Sequence, residues 1–231
     1  LQSRMCEAEP ARLVLEYTRY MMGFLLFVPR PRRVAMIGLG GGSLAKYCHA
    51  HLPETDFTAI DVSPEVIAWR ATFAIPADGP RFRVVCANGA DWVRQRGDAL
   101  DAPLVDGFDV DGLPPELCSV AFYDACRARL AEGGVLVANL HPDEEDYALC
   151  VERLHDAFDG RVVEVTADES DNRIVFAGGD ASFPPTLDQL AERLHRLAPQ
   201  HDLPLATLAD RILDDLQRGR RRRRRRRCRI G

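Results

Sequence analysis

Asp106 and Asp109 stand three residues apart in the run Leu104-Val-Asp-Gly-Phe-Asp-Val-Asp-Gly-Leu-Pro114. Paired carboxylates at that spacing can hold a cationic amine, orient its lone pair and receive its proton. An acidic loop rich in turn formers is the plainer reading of the same residues. A second chemical feature comes earlier, where Val34-Ala-Met-Ile-Gly38-Leu-Gly40-Gly41-Gly42-Ser43-Leu44 leaves an apolar β-type run and enters a helix-length stretch through four glycines. Glycines permit positive φ and close backbone approach, and the free N–H groups of a helix start point at whatever occupies the turn. A tight turn without a ligand has the same pattern. Asp61 favours the ligand reading: it ends the next β-run, followed by Val62, where a carboxylate can accept hydrogen bonds from the ribose of a nucleoside lying over the turn. Capping of the helix that starts at Pro64 is its alternative use. A third loop, Cys86-Ala-Asn88-Gly89-Ala90, offers an Asn88 carbonyl to an adenine amino group, and Asn-Gly is equally an ordinary turn signal.

These residues need a scaffold that brings loops together, and the chain alternates accordingly. Residues 11–27 read as a helix stopped by Pro29 and Pro31. Apolar β-type runs at 34–38, 57–61, 82–86, 104–107 and 135–139 are then separated by helix-length stretches near 43–51, 64–74, 90–96, 114–130 and 144–158. Such alternation predicts right-handed crossovers and a doubly wound, mostly parallel α/β sheet, with the candidate residues at the carboxyl ends of its strands. Two more β-runs, 162–166 and 173–177, lack a helix between them and suit an antiparallel edge, giving seven strands. Helical spacing at 187–197 and 206–216 predicts a C-terminal helical extension. The expected units are an N-terminal helical segment (1–32), a nucleoside-binding α/β domain (33–180), the helical extension (181–217) and a disordered Arg-rich tail (218–231).

A chain of 231 residues can bury one substantial core. Its net charge of −5 averages two unlike parts. Residues 218–229 carry ten of the thirty basic residues and no acid, which leaves 20 basic against 35 acidic residues in 1–217, a net of −15. An acidic body concentrates cations, although it also simply aids solubility. The stretch Arg218 to Arg229 could meet RNA or another polyanion with a steep salt dependence. It has no aromatic residue for base stacking, and folding back on the acidic body is the competing reading. The seven cysteines (Cys6, Cys48, Cys86, Cys118, Cys126, Cys150 and Cys228) show no CxxC pair and no metal-ligand spacing, so free thiols in a reducing cytoplasm and no metal are expected. No signal-peptide pattern precedes the core, and the longest apolar stretch, 21–28, is too short to span a bilayer. The chain opens on Leu1, as a fragment or a processed chain would.

The order Gln2, Gly38-Leu-Gly-Gly-Gly42, Ile60-Asp61, Asn88-Gly89, Val105-Asp106-Gly-Phe-Asp109, Phe122-Tyr123 and Gly133-Gly-Val-Leu-Val137 resembles the spermidine synthase (polyamine aminopropyltransferase) family over roughly residues 2–177. The resemblance implies the Rossmann-like sheet of class I S-adenosylmethionine-dependent methyltransferases. It also implies decarboxylated S-adenosylmethionine as co-substrate, no metal or permanent cofactor, a polyamine acceptor and a cytoplasmic setting, and it is compatible with a homodimer. It implies that Asp106 accepts the proton, Asp109 helps hold the amine, and Asp61 with Val62 binds the ribose side. Gln2, Gly38, Gly40, Gly41 and Gly42 would touch the donor, with Asn88 and Gly89 at its adenine end. This chain departs from the pattern at Gly41, where the family has an acid for the donor's amine. It departs also at Asn88, which replaces an acid, and at Tyr17-Thr18, which replaces a Tyr-His pair, and the family's N-terminal β-domain has no counterpart within residues 1–32. A loop without its own carboxylate would repel ordinary S-adenosylmethionine less, so methyl transfer is the rival chemistry. A non-catalytic nucleoside-binding scaffold with a polyanion-binding tail is the rival of another class.

Overall fold

A computed structural model describes residues 3–108 and 112–230, with side chains through 219. Gln2 and Asp109 therefore lie outside the described residues. The strands are β1 (Arg33–Ile37), β2 (Asp56–Asp61), β3 (Phe82–Cys86), β4 (Ala102–Val105), β5 (Val135–Leu140), β6 (Val162–Thr166) and β7 (Arg173–Gly178). They form one seven-stranded sheet in the order β3-β2-β1-β4-β5-β7-β6. The first five are parallel, and β7 pairs antiparallel with both β5 and β6. This is the predicted doubly wound α/β sheet with its antiparallel edge. The β6–β7 hairpin folds so that its second strand, β7, is inserted beside β5 and β6 becomes the edge.

Both faces of the sheet are covered, so its strands read as continuous apolar runs, and the period of two only divides them between faces. Val135 and Val137 of β5, with Ile174 and Phe176 of β7, enter a core shared with α1 (Glu16–Met21), α2 (Ser43–His51), α7 (Leu187–Leu197) and the start of α8 (Leu205–Ile230). Leu136, Ala138, Val175 and Ala177 face the other way, onto α4 (Gly89–Arg94), α5 (Val120–Ala128) and α6 (Tyr147–Ala157). Each large side chain fully buried there, such as Phe24, Phe122 or Phe176, stabilises the fold by about 1.5–3 kcal/mol.

Several elements are shorter than their apolar patterns. The predicted helix over 11–27 is α1 followed by a 3₁₀ turn, Met22–Leu26, whose five residues are all buried. Leu15 precedes α1 with no side-chain cap, and burial rather than capping holds the segment. The helix expected over 64–74 is only α3 (Pro64–Ala68), capped by Ser63. The stretch 114–130 splits into a 3₁₀ turn, Pro115–Cys118, and α5, because the Ser119 hydroxyl accepts from the Phe122 N–H and starts a new helix. At the C-terminus, the tail read as disordered continues α8 as helix to Ile230. Arginine is a good helix former, and the packed residues Leu205, Leu208 and Ile212 have already nucleated the helix it extends.

The expectation of free cysteines is corrected at one pair, since Cys118 and Cys150 form a disulfide. It ties the 3₁₀ turn after the acidic loop to α6, two elements that only tertiary packing brings together. Cys6, Cys48, Cys86 and Cys126 are free. Among the described residues, no helix is long and apolar enough to cross a membrane, and no group of three or more His, Cys, Asp and Glu is placed to hold a metal ion.

Candidate active site

Because β1 to β4 are parallel, the loops that follow them emerge at one end of the sheet. The order reverses between β1 and β4, and there the turn after β1 meets the loop after β4. Gly38 has φ +92°, and a Cβ on it would lie 2.1 Å from the Asp106 carbonyl oxygen. No L-residue with a side chain fits that approach. Asp106 is drawn in by its own N–H, which donates to the Ile37 carbonyl at 2.9 Å. The two candidate motifs are thus in backbone contact.

Asp61 turns back onto the glycine turn. Its Oδ2 accepts from the Leu39 N–H at 2.8 Å and its Oδ1 from the Ser63 N–H at 2.9 Å. Ser63, not Asp61, caps α3 through the Val66 N–H. Both carboxylate oxygens keep a second acceptor site, and Val62 beside them is 68% exposed. On the far side of the turn Gly42 is left-handed at φ +65° and α2 starts with no side-chain cap, which leaves N–H groups facing the turn. Gly40 is left-handed too, at φ +50°.

The roof of the turn explains Gly41. The Ser3 hydroxyl accepts from the Gly41 N–H at 2.8 Å, and a Cβ there would meet Ser3 at 2.8 Å and the Phe73 ring at 3.2 Å. Lys46, 3% exposed, donates from Nζ to the Phe73 carbonyl at 2.8 Å and holds that roof down. Burial lowers the Lys46 pKa to about 8. An acidic side chain at position 41 has no room in this arrangement.

Asn88 serves α4 instead of standing open. Its Oδ1 accepts from the Ala90 and Asp91 N–H groups at 2.9 and 3.1 Å, which engages both lone pairs, while its Nδ2 donates to Glu116 Oε1 at 3.3 Å. Gly89 is glycine for packing, since a Cβ would lie 2.4 Å from the Ile37 side chain.

Asp106 occupies the most unusual setting. Its Oδ1 accepts from Asn139 Nδ2 at 2.8 Å, and the Tyr17 hydroxyl hydrogen-bonds to the same carboxylate. Burial pushes the Asp106 carboxyl above the ordinary carboxylate range, and the Asn139 and Tyr17 hydrogen bonds oppose that rise without cancelling it. Burial and the neighbouring Asp106 charge in turn raise the Tyr17 phenol, which stays a proton donor at neutral pH. Asn139 accepts in its own right from Asn172 Nδ2 at 2.8 Å. Sequence reasoning quoted Tyr17 only as a departure from a family pair, and it missed Asn139 and Asn172. The available signal was a lone asparagine inside the apolar run Val135–Leu140.

Past the acidic loop lies a cavity of about 320 Å³, walled by Phe108, Leu113 and Leu140, with Glu144, Glu145 and Asp146 among its lining residues.

Residues 15–150 match the spermine/spermidine synthase domain. The chain belongs to the spermine/spermidine synthase family. It is 37% identical over 205 residues to a polyamine aminopropyltransferase of Neisseria meningitidis serogroup A, covering 88% of this chain and 78% of that protein. The corresponding enzyme of Chromobacterium violaceum is 37% identical over 213 residues, covering 92% and 82%. The fold also matches a crystal structure of spermidine synthase in complex with the transition state analogue AdoDATO, with a TM-score of 0.68 at 23% identity, covering 85% of this chain and 71% of that one. The seven-stranded sheet is the fold shared with that structure.

Proposed function

We propose that this chain transfers an aminopropyl group from decarboxylated S-adenosylmethionine to an amine of a polyamine acceptor, with Asp106 as the proton acceptor. The observation that carries this reading is the Asp106 carboxylate, half-buried and hydrogen-bonded, in backbone contact with the glycine turn. Adenosine lies over the turn between Gly38 and Gly42, its ribose on Asp61, with Val62 at the rim and Gln2 against the donor. Asp109 holds the amine. The acceptor's methylenes run along Leu113 and Leu140, and its distal ammonium meets the carboxylates of the adjoining cavity.

In the reaction the acceptor nitrogen attacks the methylene next to the sulfonium in line. The new C–N bond forms as the C–S bond breaks, and methylthioadenosine leaves with the bonding pair. The positive sulfur needs no acid to depart, so the protein's task is positioning and proton removal. An alkylammonium loses its proton at about pH 10, and a carboxylate whose pKa is raised toward the working pH accepts that proton with less loss. The absence of an acid at position 41 leaves the donor's amine without the family's usual partner, and Ser3 and Phe73 fill the space instead.

Asp106→Asn tests the reading. Turnover with a diamine acceptor should fall by about 10²–10⁴-fold, while calorimetric affinity for methylthioadenosine stays unchanged. Full turnover in that variant would sink the assignment. A product heavier by a methyl group rather than an aminopropyl group would select the rival chemistry, and nucleoside binding without any product would select a scaffold.

A further inference from the structure

Asn139 is the only polar side chain of β5 and is 3% exposed. A buried carboxamide can be seated two ways, with its NH₂ or its carbonyl toward a given neighbour. Here the NH₂ faces Asp106. The carbonyl faces Asn172, which is 8% exposed and immediately precedes β7. The β6–β7 hairpin holds the Asn172 backbone in place, because its main-chain carbonyl accepts from the Ala167 N–H at 2.8 Å and Asp171 before it is left-handed at φ +56°. The two amide donors therefore point the same way, from Asn172 to Asn139 to Asp106, and Tyr17 hydrogen-bonds to the same carboxylate.

We propose that Asn172 is a positioning residue that fixes the orientation of the Asn139 amide and thereby the proton affinity of Asp106. This rests on the reading of Asp106 as proton acceptor only for its catalytic consequence. A donor at 172 forces the Asn139 carbonyl toward itself and the NH₂ toward the carboxylate. An acceptor at 172 forces the reverse and aims a carbonyl dipole at Asp106, which favours the protonated form. Among the described residues, three groups bear on Asp106. The segment of α1 presents the Tyr17 phenol, β5 presents Asn139, and the turn after β1 meets it through the Gly38 backbone.

The test is Asn172→Asp, which keeps the shape and replaces the donor by an acceptor, beside Asn172→Leu, which removes the donor without adding charge. The Asp106 carboxyl is followed by carbon-13 NMR titration, assigned by its absence in Asp106→Asn, and the pH profile of turnover is recorded in parallel. Both variants should titrate Asp106 at higher pH than the parent. The acidic limb of turnover should move the same way, with roughly a tenfold loss at pH values along that limb for Asn172→Asp, the effect of about one pKa unit. An Asp106 titration unchanged in the folded variants overturns the proposal. A titration that moves while the turnover profile stays put supports the positioning role and removes Asp106 from the chemistry, so the two readings fail separately.

Discussion

The turn after β1 and the loop after β4 touch at Gly38, yet they are built by different means. The turn is held by neighbours in the first third of the chain: Asp61 on Leu39, Ser3 on Gly41, and Phe73 locked down by Lys46. Asp106 is held by residues from distant segments, Tyr17 of α1 and Asn139 of β5, the latter backed by Asn172 before β7. The first region is a shaped surface of backbone N–H groups with two acceptor sites to spare. The second is a half-buried carboxylate whose protonation depends on the amide and hydroxyl groups bonded to it. In the proposed reaction the first binds and the second reacts, so substitutions should separate affinity from turnover.

The contact between the two regions is the place where both fail together. Gly38→Ala forces a Cβ into the Asp106 carbonyl at a left-handed φ, and unfolding in denaturant should show a loss of about 3 kcal/mol, with nucleoside affinity and turnover falling together. Retention of either would mean that the two regions are less tightly joined than the backbone contact indicates. Asp61→Asn should act on the first region alone. It removes the charged acceptor beside the turn, and calorimetry with methylthioadenosine should show about 10–100-fold weaker binding, the equivalent of about 1.5–3 kcal/mol, with turnover at saturation little altered. Tyr17→Phe should act on the second region alone and more gently. The Tyr17 hydrogen bond stabilises the Asp106 carboxylate, so its loss raises the Asp106 pKa further, and the acidic limb of kcat/KM should move to higher pH. On that acidic limb a shift of about one pKa unit corresponds to a roughly tenfold loss, with nucleoside affinity preserved.

The two regions also differ in how far they could be read in advance. Local rules place the turn: glycines between an apolar run and a helix, then an acid one strand later, are close in sequence and adjacent across a parallel β-pair. The same rules left the use of Asn88 open between an adenine contact and an Asn-Gly turn, and the structure shows its side chain capping α4 and touching Glu116. The pairing of Cys118 with Cys150 carried no spacing signal, because their proximity is made by the 3₁₀ turn packing against α6.

From its residues alone the chain determined the alternation of strands and helices, the parallel sheet with its antiparallel edge, and the position of Gly38, Asp61 and Asp106 at strand ends. These follow from apolar periodicity and from the conformational freedom of glycine, both of which act over a few residues. Tertiary structure alone decided that Tyr17, Asn139 and Asn172 converge on Asp106, that Ser3 and Phe73 occupy the space beside Gly41, and that β7 lies between β5 and β6. Side-chain hydrogen bonds between residues more than thirty positions apart leave no period in the sequence, because only closure of the sheet and burial of its ends bring the partners within reach.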